Sequence, residues 1–434
     1  MRRILALLTL LLAAGAAQAR LSIEITGGME GALPIAVVPF QWQGPGPTPE
    51  AVGGIVAADL RRSGAFAPLA EDKLPARPHQ GQEVKFQRWR GAGVENLVVG
   101  RLTRVAQGQY EVRFQLFDVL SGEQLTGYSI KAQAGNLRRV AHQISDIVYE
   151  ELTGKRGAFD THIAYVTVVQ GKDGKRRYKL AVADADGYNE QIILTSKQPL
   201  LSPAWSPDGK QLAYVSFESG RTQVFVQSVA TGKRRMVADF KGINGAPSWS
   251  PDGKRLALVS SRAGNPEIYV MELESGEMTR ITRHYGIDTE PDWAPDGGSL
   301  LFTSDRGGRP QIYRVNVGRS GAQGRPERLT FEGTYNARGS FSPDGKRITM
   351  VHGDGGRFRI GVLNLGTGAL RVLTDTRLDE SPSFAPNGSM VIYATEVNGR
   401  GVLEVASVDG RAHQRLRLQG GDVREPAWSP FMSK

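Results

Sequence analysis

From about residue 160 onward, short apolar runs alternate with clusters of Gly, Pro, Asp, Asn and Ser. After Pro251-Asp252-Gly253, apolar positions gather in LALVS (Leu256 to Ser260), EIYVMEL (Glu267 to Leu273) and MTRIT (Met278 to Thr282), with SRAGNP and ESG between them. Runs of this length bounded by turn residues predict strands, and the segment ending at Trp249 supplies a fourth. The unit recurs. PAWSPDG from Pro203 returns as PSWSPDG from Pro247, PDWAPDG from Pro291, GSFSPDG from Gly339, PSFAPNG from Pro382 and PAWSP from Pro426. Their aromatic residues, Trp205, Trp249, Trp293, Phe341, Phe384 and Trp428, lie 43 to 48 residues apart. A period near 44 is that of a four-stranded propeller blade. The one long interval is assigned to a longer turn, GRSGAQGRP, beginning at Gly318.

Each unit carries a second hairpin signal between its last two strands: Asp186-Gly187, Thr231-Gly232, Ser275-Gly276, Ser320-Gly321, Thr367-Gly368 and Asp409-Gly410. The ends of the array are complementary. Ile163 to Val169, Tyr178 to Ala183 and Gln191 to Leu194 read as three strands lacking an inner partner, and the final PAWSP is an inner strand lacking followers. Joining them completes a blade and removes two exposed sheet edges, which predicts a closed six-bladed ring over 160–434.

Ahead of the repeats, over 20–157, the pattern is mixed. PIAVVPF (Pro34 to Phe40) reads as a buried strand, and Thr48 followed by Pro49 predicts a helix running to about Arg62. Leu97 to Val105, Tyr110 to Leu120 and Gln124 to Ala132 read as strands. Asn136 is placed as the cap of a helix with Leu137, Val140, Ile144, Ile147 and Val148 on one stripe and Gly154 past its end. The expected fold is therefore an α/β N-terminal domain followed by an all-β six-bladed propeller.

The extreme N-terminus reads as an address. Met1-Arg2-Arg3, an apolar run from Ile4 to Ala14 and Ala17-Gln18-Ala19 form a secretory signal over 1–19, with cleavage expected before Arg20; the apolar run is too short to span a bilayer. The segment after it, RLSIEITGG, alternates Leu21, Ile23 and Ile25 with Ser22, Glu24 and Thr26. That period of two suits either the first strand of the domain or an arm that adds to a partner's sheet edge.

Composition narrows the chemistry. With no cysteine among 434 residues, disulfides, thiolate metal sites and thiol nucleophiles are excluded. The net charge of +10 is spread over both regions, without the dense basic field of a nucleic-acid binder. No GxSxG elbow, P-loop, HExxH or dinucleotide fingerprint is present. The repeated carboxylates Asp208, Asp252, Asp296 and Asp344 belong to four-residue turns, and Asp184-Ala185-Asp186-Gly187 lacks the downstream glutamate of a calcium loop. His79, His142, His162, His284, His352 and His413 have no ligand spacing. His284 and His352 alone fall near the expected channel mouth, which leaves a secreted propeller enzyme acting on polysaccharide, with a metal there, as the alternative reading.

Strands in a blade alternate direction, so the loops entering the inner strands share one face with those between the second and third strands. The first set holds Asn244, Gly245, Ala246, Asp288, Thr289, Glu290, Asn336, Asp379, Glu380, Arg424 and Glu425; the second holds Arg221, Arg262, Arg306, Arg309, Arg357 and Arg400. The SPDG turns lie on the other face.

Together the signal, the PIAVVPF domain, the six SPDG-type repeats and strings such as NGAPSWSPDG, TEPDWAPDG, APNGSMVIY and PAWSP resemble the TolB family of the Tol-Pal system. This resemblance implies a periplasmic, non-enzymatic, monomeric adaptor with no cofactor, no nucleic acid and no direct membrane insertion. It implies two partners, the lipoprotein Pal and TolA, in support of outer-membrane integrity and constriction at division, and leaves further envelope partners open. By the same resemblance the eleven inner-strand loop residues named above would contact Pal, and Arg20, Leu21, Ser22, Ile23, Glu24, Ile25 and Thr26 would contact TolA. Ile243 stands where some members of the family carry a histidine.

Overall fold

The computed structural model describes residues 31–318, 321–418 and 420–432. The signal and the alternating segment that follows it lie outside the described residues.

The N-terminal region is built on one sheet in the order β3-β1-β4-β5-β6, comprising β1 (Leu33–Val37), β3 (Phe66–Pro68), β4 (Asn96–Ala106), β5 (Gln109–Asp118) and β6 (Gln124–Gln133), with β2 (Gln41–Gln43) also paired to β4. Helices α1 (Val52–Arg62) and α3 (Leu137–Thr153) cover one face, burying Ile55, Val56, Leu60, Val140, Ile144 and Val148. The short α2 (Phe86–Gly91) covers the other through Trp89.

Two helix starts differ from expectation. The Thr48 hydroxyl donates to the Glu50 carbonyl and closes a turn, so Pro49 to Ala51 stay outside α1. Asn136 does precede α3, but its side chain makes no capping bond because a 3₁₀ turn, Ala134–Asn136, runs straight into the helix. Gly154 ends α3 at φ +69°, a left-handed conformation that glycine adopts without a Cβ penalty.

Five four-stranded antiparallel sheets follow in sequence order. The sixth pairs the terminal strand, Asp422–Trp428, with β7 (His162–Gln170), β8 (Arg176–Asp184) and β9 (Gln191–Ser196). The ring is therefore six-bladed and sealed by strands from opposite ends of the repeat array. Each blade buries its aromatic residue against a neighbour. Trp249 Nε1 donates to the Ala204 carbonyl at 3.1 Å, Trp205 Nε1 to Ala427 at 3.1 Å, and Trp428 Nε1 to Thr161 Oγ1 at 2.9 Å. The longer repeat is accommodated differently from the expected long turn: Gly318 pairs with Gly321, so the extra residues lengthen both hairpin strands, Gln311–Gly318 and Gly321–Arg328.

The SPDG segments are turns held by their own side chains. Asp252 Oδ1 accepts from Ser250 Oγ and from the Lys254 amide, and Gly253 sits at φ +69°. The same bonds recur at Asp208 and Asp344.

Candidate functional site

The N-terminal region seats on the turn face of the ring. Asn387, in a turn of the SPDG type, donates to the Arg156 carbonyl at 2.9 Å; Arg156 lies 3.9 Å from the Phe431 ring; and Gly64 packs on Ser407 and Ala412. Within this seam Asp59 of α1 and His142 of α3 meet Asp186, which projects from the turn after β8. Burial alone would depress the His142 pKa, but the Asp59 carboxylate, 2.7 Å away, outweighs it and holds the pKa above its ordinary value. These three side chains could in principle converge on a metal ion. Arg62 and Arg138 already neutralise both carboxylates, so a divalent cation would leave excess positive charge in a buried seam.

Among the described residues the loop face is left open, and its chemistry follows from position within the repeat. Counting back from the aromatic residue, the fifth position holds Asn244, Asp288, Asn336 and Asp379, all buried. Asn244 donates to the carbonyls of Thr222 and Phe240, Asp288 accepts from Arg306 at 2.6 Å, Asn336 bonds Gln311 and His352, and Asp379 accepts from Thr374 and Thr376. Asn244, Asn336 and Asp379 tie their loops to the preceding blade, and Asp288 ties its loop to Arg306 in its own blade. The sixth position points the other way. It holds Ile243, Ile287 and Leu378, each about half exposed, and the same loops present Tyr285 (86% exposed) and Phe331 (74%). Solvent-facing apolar residues gathered on one face mark an interaction surface. Sequence reasoning noted Ile243 only as the place of a family histidine and passed over the others, although an apolar residue recurring six places before the aromatic was the available signal.

The third position lines the channel. Ser202, Ala246, Glu290, Arg338, Ser381 and Glu425 all have φ between +45° and +55°. Each lies within or beside a break in the register of its inner strand. Left-handed backbone is uncommon outside glycine, and here it turns six side chains toward the ring axis. Arg338 crosses the opening: its guanidinium bonds Glu290 at 3.0 Å, Glu425 at 2.9 and 3.1 Å, and the Ser381 hydroxyl. Burial would lower the Arg338 pKa, but Glu425 and Glu290 together hold it above its usual value. Of the remaining residues singled out on this face, Gly245, Ala246, Thr289, Glu290 and Glu380 are half-buried, Glu425 is buried and Arg424 is exposed. Arg221 and Arg357 pair with Asp239 and Asp375, and Arg262 lies over Phe240.

Two family models match the chain, the TolB amino-terminal domain over residues 21–125 and the TolB beta propeller domain over 149–432. The chain belongs to the TolB family. It is 59% identical over 426 residues to the Tol-Pal system protein TolB of Nitrosococcus oceani, covering 98% of this chain and 97% of that one. It is 58% identical over 434 residues to the protein of that name from Thioalkalivibrio sulfidiphilus, covering 100% and 98%. The crystal structure of TolB from Acinetobacter baumannii superposes with a TM-score of 0.86 at 43% identity, covering 94% of this chain and 99% of that one. The expected α/β region followed by a six-bladed propeller is thus the architecture of the family, and the chain is a Tol-Pal system component.

Proposed function

We propose that this protein is a periplasmic, non-enzymatic adaptor whose open loop face binds the lipoprotein Pal and whose segment Arg20 to Thr26 binds TolA, supporting outer-membrane integrity and constriction. The observation that carries the Pal assignment is the apolar set Ile243, Tyr285, Ile287, Phe331 and Leu378, rimmed by arginines and left uncovered by the described residues of the N-terminal region. In this reading Gly245, Thr289, Glu380 and Arg424 supply the reachable polar contacts. Asn244, Asp288, Asn336 and Asp379 shape the loops from within, and Ala246, Glu290 and Glu425 line the channel mouth. The alternative, a metal-dependent polysaccharide enzyme, finds no support in its two histidines. Among the described residues the one group of three His, Asp or Glu side chains close enough to share a metal ion is Asp59, His142 and Asp186, and neither histidine belongs to it.

The test is calorimetric titration of Pal and TolA into the mature protein. Tyr285→Ala with Phe331→Ala is expected to weaken Pal binding at least tenfold without lowering the melting temperature, since neither ring is buried. Removal of Arg20 to Met29 is expected to abolish TolA binding and spare Pal. Undiminished Pal affinity in the double variant, or equal loss of both partners on truncation, refutes the assignment.

A further inference from the structure

Three Asn-Gly steps occur in the chain, Asn244-Gly245, Asn387-Gly388 and Asn398-Gly399, and the fold treats them differently. Asn244 is fully buried; its side-chain nitrogen donates to the carbonyls of Thr222 and Phe240, and its Oδ1 accepts from the Phe240 amide. Gly245 lies within the inner strand, in register with Val259. Asn387 is held at both ends of its amide: Nδ2 donates to the Arg156 carbonyl at 2.9 Å, and Oδ1 accepts from the Ser389 amide and hydroxyl. The Gly388 amide is also used, donating to the Ala385 carbonyl at 2.8 Å. Asn398 is the exception. It is exposed, and its side chain has no hydrogen-bond partner among the described residues. The Gly399 amide likewise donates to no carbonyl among them, and a Cβ placed on Gly399 would meet nothing within 4 Å.

The reason for this pair at this place is the turn itself. Asn398 and Gly399, at φ +53° and +74°, form the two-residue tip between strands Met390–Val397 and Arg400–Ser407, closed by the pairing of Val397 with Arg400. Two successive left-handed residues favour Asn-Gly. Glycine also presents its backbone nitrogen without a Cβ to crowd it and leaves the tip free to rotate. We propose that Asn398 is a site of spontaneous deamidation on the loop face. The Gly399 nitrogen loses its proton and bonds to Asn398 Cγ; the bond from Cγ to the side-chain nitrogen breaks, and ammonia leaves. Water then opens the cyclic imide at either carbonyl, giving aspartate or isoaspartate. Either product adds one negative charge to a face rimmed by arginines, next to Arg400, and isoaspartate also lengthens the main chain at the hairpin tip. The inference is independent of the partner assignments above, none of which uses Asn398.

The test is peptide mapping by mass spectrometry of the intact mature protein, incubated folded in mildly alkaline buffer and, in parallel, unfolded in urea. In the folded protein the mass gain of one amide-to-acid conversion should appear at Asn398 at least about tenfold faster than at Asn244 or Asn387, because each of those must first give up two or more hydrogen bonds. In urea the three steps should react at similar rates. The conversion should slow in mildly acidic buffer, where less of the amide nitrogen is deprotonated. Ion exchange of the folded protein should show a growing fraction shifted by one negative charge, and isoaspartyl methyltransferase should label part of it. Asn398→Gly keeps the left-handed tip and should abolish that fraction without changing the melting temperature, while fresh Asn398→Asp should elute with it. No conversion at Asn398 in the folded protein while the urea sample reacts, or the same ratio among the three sites in both samples, overturns the proposal.

Discussion

Arg338 offers the sharpest test of how the ring is held, because one side chain joins three blades across the channel. Replacing it with methionine keeps the aliphatic stem and deletes the charge, leaving Glu290 and Glu425 facing each other without their shared cation. Breaking a fully buried ion pair by removing one partner costs about 3–5 kcal/mol. The Arg338 side chain retains 32% of its exposure in the channel, so solvent screening lowers the expectation to about 2 kcal/mol. For a chain of this length the unfolding entropy is close to 1 kcal/mol per degree, which puts the fall in melting temperature at about 2–3 °C. The assay is differential scanning calorimetry of the wild type, Arg338→Met, Glu290→Gln with Glu425→Gln, and the triple variant at pH 7.5. If the cost comes from stranded carboxylates, the triple variant recovers most of the loss. A single variant within 0.5 °C of wild type, or a triple variant as unstable as the single, refutes the argument that Arg338 neutralises the two glutamates.

Three further outcomes are expected. Trp428→Ala removes a buried indole that bonds Thr161 where the ring closes, and should cost about 3–5 kcal/mol by urea unfolding; a loss under ~1 kcal/mol would show that closure does not depend on it. Asp292 is half-buried between blades, accepting from the Phe341 amide at 2.9 Å and from Ser248, and desolvation pushes its pKa up to about 6. Because the folded state holds this proton more tightly than the unfolded chain, its stabilising contribution is full below about pH 4 and is lost as pH rises to about 6, a change on the order of 3 kcal/mol. Asp292→Asn should therefore gain stability relative to wild type between pH 4 and 6.5, and a stability difference independent of pH would disprove it. Glu290→Ala should lower the melting temperature as well as affect the loop face, because Glu290 also accepts from Thr303 and from the Arg338 amide; thermal stability equal to wild type would contradict those bonds.

Much of the propeller was legible because its determinants are local and repeated. A strand shows as an apolar run, and a turn shows as Pro-Asp-Gly with its serine two residues before the aspartate. The closing blade could be inferred because fragments at opposite ends of the array lacked complementary strands. The start of α1 was misplaced because Thr48 can cap a helix or close a turn with equal local plausibility, and packing selected the turn. The site was legible only in part. The loop face could be located from strand direction, yet Asn244, Asp288, Asn336 and Asp379, which drew attention there, proved to be buried, while Ile243, Ile287 and Leu378, each one position before such a residue, face solvent.

What the amino-acid pattern determines by itself is periodic: blade length, blade number, turn chemistry and the absence of thiol chemistry, each encoded within a few dozen consecutive residues. What only the tertiary structure decides is which distant charges meet. Arg338 reaches Glu425 across 87 residues, and His142 reaches Asp59 across 83. These pairs have no local signature, because their energy depends on burial and on distances set when the ring closes and the N-terminal region settles onto its turn face. Six left-handed residues turn the third position of every repeat inward, and that backbone feature converts an unremarkable loop arginine into a bridge spanning the channel.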